Sequence, residues 1–584
     1  MKASFLLVLA VSLVFADAYQ DTAMTILVKS VEKALKHQLP SGRFVASTED
    51  AKKNPEDYIY FLTRLKAGYV HDSYLLLPCA YLYAAQSPLN PLFKDARLIK
   101  AMEKNLEFLD TTFSYTFHTH RLCAFLALAY EMVEKDLSGK HRALLLALLK
   151  RGTDEIASRA ARAAKHTGRY TAMDIGINTN HWAIYNLHLL RCGKIFNDKA
   201  MVEAAKKQFK GIIAAQQPEG YWNEWNGPTP SYNPVTAYAL AGYYAFSRDP
   251  LAPPALKRAA QFQIWFTYPN GNEMEAMDGR VQMSWGPNVC GHDGFSHSAE
   301  GRRFSRLLLE KRLKMSPDKI FDPEECALLV ENCLFWESGP EVDLPVEKGD
   351  FAYRLKDAAG VRRSGPWLAG YSSIGRPSWP ENQFYLDRQV HFSLWHDSAG
   401  LVLIGPNSKG HQRGGTFYMN RNLDQAVGYL KSGLLRQDAK AGDLLTGTYD
   451  GFSSELVLRP VNAKEFEITG RVKLGSNPTA LFTPEFTLQL FLNLAKTDTI
   501  ETEKGGKIAL SGEYRDYPPY KVGKWIKKGR WKLEIPENSR FIFPYYAFYP
   551  YSLYGVSPYQ QPEGVAVITF PSPEAEMKCR LVVE

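Results

Sequence analysis

Apolar residues recur at helical spacing from about residue 22 to residue 335. Leu122 to Leu149 is rich in Ala, Leu, Glu and Lys, and Lys199 to Gln217 and Val235 to Ser247 repeat the spacing. A 3.6-residue period predicts helices there. Loops carrying Gly, Pro, Asn and Asp separate them, as at Gln86-Ser87-Pro88 and Arg248-Asp249-Pro250. Helix follows helix with no strand-like run between, which excludes an α/β barrel. Antiparallel helix pairs in series predict an (α/α) toroid or a helical solenoid. The lack of a fixed-period repeat favours the toroid.

The pattern changes from about residue 350. Val390 to Trp395, Leu401 to Ile404, Glu455 to Leu458, Phe466 to Thr469 and Phe486 to Leu490 read as strands. Turn signals recur between them, at Ser398-Ala399-Gly400, Asp450-Gly451 and Gly505-Gly506. This predicts a large antiparallel β-sandwich. Ser338-Gly339-Pro340 interrupts the helical pattern. The expected organisation is therefore a leader over 1–18, a toroid over 19–337, a linker over 338–350 and a sandwich over 351–584.

At its start the chain has Lys2, an apolar run from Phe5 to Phe15, and Ala16-Asp17-Ala18. Those are the parts of a cleaved secretory signal, with the cut expected after Ala18. No stretch reaches the roughly 20 apolar residues of a membrane span, so a secreted or periplasmic protein is expected. A length of 584 residues exceeds one ordinary core. With 45% hydrophobic and 23% charged residues, the bulk of the chain is globular rather than disordered. The net charge of +8 suits an acidic partner, while no basic block is dense enough for nucleic acid. Seven scattered cysteines form no disulfide framework, and no Cys-x-x-Cys or His-x-x-x-His pair marks a metal site. No cofactor is expected; a structural metal stays open but unsupported.

Two helical-half segments carry candidate chemistry. The first is Asp174-Ile175-Gly176-Ile177-Asn178-Thr179-Asn180-His181-Trp182. Asn178 or Asn180 would cap a helix with His181 in its first turn, and His181, Ile184, Tyr185 and His188 would share a face. Free amides and the positive dipole end favour an anion there, so Asn180 and His181 are candidates to neutralise a carboxylate. A cap and a packed histidine would give the same pattern. The second segment runs from Glu219-Gly220-Tyr221-Trp222-Asn223-Glu224-Trp225 to Ser231-Tyr232-Asn233-Pro234. Asn233 reads as an N-cap and Pro234 as N1, so Tyr232 precedes a positive helix end that would stabilise a phenolate. Trp222 and Trp225 are candidates to stack on sugar rings, although an aromatic-lined turn would look alike.

Together these segments resemble the secreted (α/α)-toroid polysaccharide lyases with a C-terminal β-sandwich, the heparinase II/III-like, alginate and chondroitin lyases. That group places an Asn-His on one toroid helix, then an Asp-Gly-x-x-x-Glu-like stretch, then a Tyr before the next helix. Asn180-His181, Glu219 to Glu224, and Tyr232 match, with Glu219 in place of Asp. Several of these families carry an Arg shortly before the Tyr, where this chain has Trp225 and Asn226. The resemblance implies β-elimination on a uronic-acid polysaccharide. Asn180 and His181 would neutralise the carboxylate, Tyr232 or His181 would be the base, and Tyr232 the acid. Glu224 would lie in the substrate cleft.

A third polar, Gly-rich segment holds Glu275, Asp278, Arg280, His292, Asp293 and His297. Arg280 is a candidate to take the missing arginine's place on the substrate carboxylate. His292 and His297 are candidates for acid-base work or metal ligation, His292 also for substrate binding, with structural roles equally open. In the sandwich, His411-Gln412-Arg413 and the Tyr545 to Tyr554 cluster are weaker candidates. Competing readings remain: a glycoside hydrolase using two of Asp174, Glu224, Glu275, Asp278 and Asp293, a uronyl epimerase, and a non-catalytic glycan-binding protein.

Overall fold

A computed structural model describes residues 17–45, 71–112, 119–165, 179–224, 227–274, 286–375, 390–405, 416–419, 430–449, 451–475, 484–493, 499–510, 515–543, 563–570 and 576–584. It is helical in its N-terminal part and built of antiparallel sheets in its C-terminal part. Packing divides it into two compact units. One comprises 1–224, 232–261 and 287–342, the other 225–231, 262–286 and 343–584.

The main helices of the first part are α1 (Ala18–Lys36), α2 (Leu76–Ala84), α3 (Ala96–Thr112), α4 (Thr119–Val133), α5 (Gly139–Lys165), α6 (Thr179–Ile195), α7 (Lys199–Ala214), α8 (Asn233–Ser247) and α9 (Ala252–Trp265). A four-residue turn α10 (His292–Phe295) precedes α11 (Ala299–Met315) and α12 (Pro323–Phe335). Their starts follow local chemistry. Asp17 caps α1 by accepting from Tyr19 N at 3.0 Å, with Gln20 reaching back to Asp17 N. Asp322 caps α12 in the same way, with Glu325 reaching back, and Asp198 caps α7 by accepting from Met201 N. On α7 the inward face is Ala205, Phe209 and Ile212, at helical spacing, and Phe209 stacks on Tyr243 of α8 at 4.4 Å.

The core of this unit also holds charge. Arg191 forms a two-pronged pair with Glu331, both bonds 2.7 Å, and donates to the Ala124 carbonyl. Tyr238 donates to the same carboxylate. With every partner buried, removing one would strand a charge at a cost of about 3–5 kcal/mol. All seven cysteines are buried and free. Cys326 and Cys333 lie on the continuous helix α12, too far apart to bond.

In the second unit, a ten-stranded sheet runs in the order 351–355, 359–364, 367–372, 391–396, 400–403, 484–493, 563–570, 540–543 and 515–517, with 417–419 also paired to 484–493. A nine-stranded sheet runs 506–509, 499–502, 525–528, 531–534, 577–583, 465–474, 452–462, 443–449 and 430–436. All pairings are antiparallel. Strand 452–462 alternates buried and open positions, as a half-buried strand must. Both sheets contribute to one apolar core, including Tyr371, Leu394, Leu456, Ile468, Leu490 and Leu533, which makes a sandwich. The end of α9 belongs here: Trp265 stacks on Tyr353 at 4.7 Å, and Tyr268 donates to Ser393. His391 and His396 are both buried, His396 against Trp367.

Candidate active site

The polar side chains of interest lie at helix starts. Helix α6 begins at Thr179, one residue before Asn180. Asn180 is buried, and its Oδ1 accepts from His181 N at 2.7 Å. His181 is half-buried, in the first turn. Ile184, Tyr185 and His188 follow on its face and are buried. His188 is a core group. It sits 3.1 Å from Thr153 Oγ1 and 3.6 Å from Cys192 Sγ, and burial pushes its imidazole down to about 4.

Helix α8 begins one residue earlier than its sequence suggests. Tyr232 holds the N-cap position, half-buried, and makes no side-chain cap bond. Asn233 is already helical, and its Nδ2 donates to Ala259 O. The side chain expected to cap thus ties α8 to α9. Gly291, at φ +77°, sits against Pro234 in the first turn of α8, where a Cβ would come within 2.5 Å of the Pro234 carbonyl.

Three helices present their starts toward one end. Arg191 of α6 bonds Ala124 of α4, and His120 of α4 lies against His181 and Tyr185 of α6, so the two run parallel. Gly242 of α8 lets α6 approach closely: a Cβ there would lie 2.9 Å from Leu187 and 3.1 Å from Arg191. The start of α8 lies on the same side as that of α6: Asn233 bonds Ala259, the neighbouring Arg258 carbonyl abuts Gly220, and the loop of Gly220 reaches Thr179 through Asn223. Thr179 Oγ1 bonds the Asn223 carbonyl at 3.3 Å, which brings the Glu219–Glu224 loop to the start of α6. Glu224 is buried there. Gly220, at φ +97°, makes the turn of that loop, with a Cβ excluded by the Arg258 carbonyl.

Other candidates fall elsewhere. Trp222 is 3% exposed and donates from Nε1 to the Ile212 carbonyl at 2.8 Å. It presents no face to a sugar and packs beneath the loop, which corrects its stacking role. His292 is fully buried. Asn332 donates to the Tyr19 oxygen at 3.0 Å, so the Tyr19 hydroxyl donates to His292 Nδ1 at 2.7 Å. Burial pushes that imidazole down to about 3. It joins α1, α10 and α12 rather than meeting substrate. Asp293 beside it is also fully buried, its carboxyl raised well above the usual range by burial and then by Glu331. His297 lies edge-on to Tyr244, and burial pushes it down to about 4. Trp225, Arg280, Asp174, Asn178, Glu275, Asp278, His411 to Arg413 and the Tyr545 to Tyr554 cluster lie outside the described residues. Among the described residues no group of three or more His, Cys, Asp or Glu could hold a metal.

His120 escaped the sequence reading. Its ring centre is 5.4 Å from that of His181 and 4.8 Å, edge-on, from that of Tyr185. Its signal was present: a histidine just before the apolar helical run at Leu122, the same arrangement as Asn180-His181.

No family model matches the chain, and no curated protein matches it. Solved structures do. The Streptomyces coelicolor A3 chondroitin AC lyase in complex with chondroitin sulphate aligns with a TM-score of 0.57 at 11% identity, over 97% of this chain and 80% of that one. A heparinase III aligns with a TM-score of 0.54 at 12% identity, over 98% and 85%. The expected fold class is the one found: this chain has the fold of the polysaccharide lyases that join an (α/α) toroid to a C-terminal antiparallel β-sandwich.

Proposed function

We propose that this protein is a polysaccharide lyase that cleaves a uronic-acid-containing acidic polysaccharide by β-elimination, with its catalytic groups in the helical domain at 19–337. The observation that carries this reading is the placing of Asn180-His181 and Tyr232 at the starts of neighbouring parallel helices. Similarity in fold to a chondroitin AC lyase and a heparinase III supports it.

The C5 proton of a uronic acid lies next to the carboxylate. Its removal builds enolate-like charge on that group, which the site must stabilise. Asn180 and His181 at a positive helix end supply donors for it. For one C5 configuration Tyr232 takes the proton and returns one to the leaving O4. For the epimer His181 is the base and Tyr232 the acid. The C4–O4 bond breaks as the C4–C5 double bond forms, so no water is consumed. Glu224 and, beyond the described residues, Trp225 and Arg280 remain proposed substrate contacts. A glycoside hydrolase would need a carboxylate pair facing a cleft, and the full burial of Asp293 counts against it as one member.

We also propose export through a cleaved leader. No helix among the described residues is long and apolar enough to cross a membrane. The cut is placed after Ala16, behind Val14-Phe15-Ala16, rather than after Ala18. Asp17 caps α1 and accepts from Trp336 Nε1 at 2.8 Å, and a cut after Ala18 would discard both bonds.

The test is near-ultraviolet absorbance during incubation with glycosaminoglycan, alginate, glucuronan and ulvan, using wild type, His181→Ala and Tyr232→Phe. A rise with one polysaccharide that disappears in both variants is expected. New reducing ends without absorbance would indicate hydrolysis instead.

A further inference from the structure

We propose that His120 is a positioning residue for His181, holding its ring in the orientation that elimination requires. The inference rests on the lyase reading for its catalytic consequence and on geometry alone for the contact itself.

His120 is the second residue of α4, and its side chain is 3% exposed. It therefore lies behind the half-buried His181. The two rings are tilted by 58° at 5.4 Å between centres. On its other side His120 meets Tyr185 at 4.8 Å and 69°, one helical turn after His181. His120 is thus wedged between two side chains of one face of α6. Tyr185 in turn lies edge-on to Trp182 at 6.4 Å, and the Trp182 indole N–H donates to Gln208 on α7 at 3.0 Å. A row of rings reaches from α7 to His181.

The wedge cannot slide. Arg191 Nη1 bonds the Ala124 carbonyl at 2.9 Å while its other nitrogen holds Glu331. Ala124 is one turn after His120, so this bond fixes the register of α4 on α6. Gly152 of α5 lies close to both Cys123 and His188, so the next turn of the contact is also filled. The His120 ring packed against His181 narrows the rotamers that the half-buried imidazole can take. A misplaced catalytic group costs rate with little effect on binding, roughly 10²-fold for a shift of about 1 Å.

The test uses the full mature chain with His120→Phe, which keeps a ring but no nitrogens, and His120→Gln, which keeps polarity. With the glycosaminoglycan, alginate, glucuronan and ulvan panel, His120→Phe is expected to lower kcat about 10- to 100-fold with KM within about twofold. His120→Gln is expected to recover part of that loss, with thermal unfolding close to wild type in both. Nitrogen-labelled histidine spectra give a readout without turnover: the His181 ring signals should shift in both variants. Unshifted His181 signals, or an unchanged kcat in His120→Phe, overturn the inference. Shifted signals in a protein that cleaves none of the four polysaccharides support the positioning contact and overturn the lyase reading instead.

Discussion

Two histidines at helix starts sit in opposite surroundings. His181 follows an Asn into the first turn of α6, and His292 follows a Gly into the single turn α10. His181 stays half-buried, ahead of His120. His292 is enclosed, bonded to Tyr19, and unable to hold a proton near neutral pH. The 17-residue α6 provides amide donors and a positive end at its start, which the four-residue turn α10 is too short to match. Whether a helix-start histidine stays accessible depends on what covers it, here α1 and α12 over His292.

The largest separation should appear in turnover. His181→Ala or Tyr232→Phe is expected to lower kcat by about 10²–10⁴-fold with little change in thermal stability, measured by steady-state kinetics and calorimetry together. His292→Ala should do the reverse. It leaves a cavity and strips Tyr19 of its acceptor, so unfolding in urea should lose about 2–4 kcal/mol, with turnover per folded molecule kept. Equal behaviour of the two variants would erase the distinction.

Acid should sharpen it. His188 and His292 have folded values of about 4 and about 3 against 6.5 when unfolded. Below pH 6.5 the unfolded chain binds more protons, so stability falls with falling pH, by about 1.4 kcal/mol per unit per histidine until the folded values are reached. Asp293 acts in the opposite sense. Its raised carboxyl keeps its proton in the fold above the unfolded value of 3.8, so its contribution declines as pH rises. Asp293→Asn removes that opposition, and its urea-unfolding stability should fall more steeply between pH 6.5 and 4 than wild type. A shallower fall would contradict the assignment. The smallest effect is expected at Asp17: Asp17→Ala loses one cap, about 1 kcal/mol by urea unfolding, without altering kcat.

Much of this was legible beforehand. Periodicity identified the helical and β parts, and spacing placed His181 in a first turn and Tyr232 before α8. Burial was not legible. Trp222 and Trp225 look equivalent in sequence, yet the Trp222 indole is spent on the Ile212 carbonyl. His120 lies far from Asn180 along the chain, and only the α4–α6 register brings it to His181. The start of α8 shifted because Asn233 found a tertiary acceptor in Ala259, a contact no local capping rule contains.

The most direct test of the central claim is digestion in oxygen-18 water, with product masses read by mass spectrometry. Elimination consumes no water. The account predicts new chain ends that carry no label, the unsaturated end lighter by one water than a hydrolytic product. Incorporation of the label at the cut would contradict it and make the protein a hydrolase.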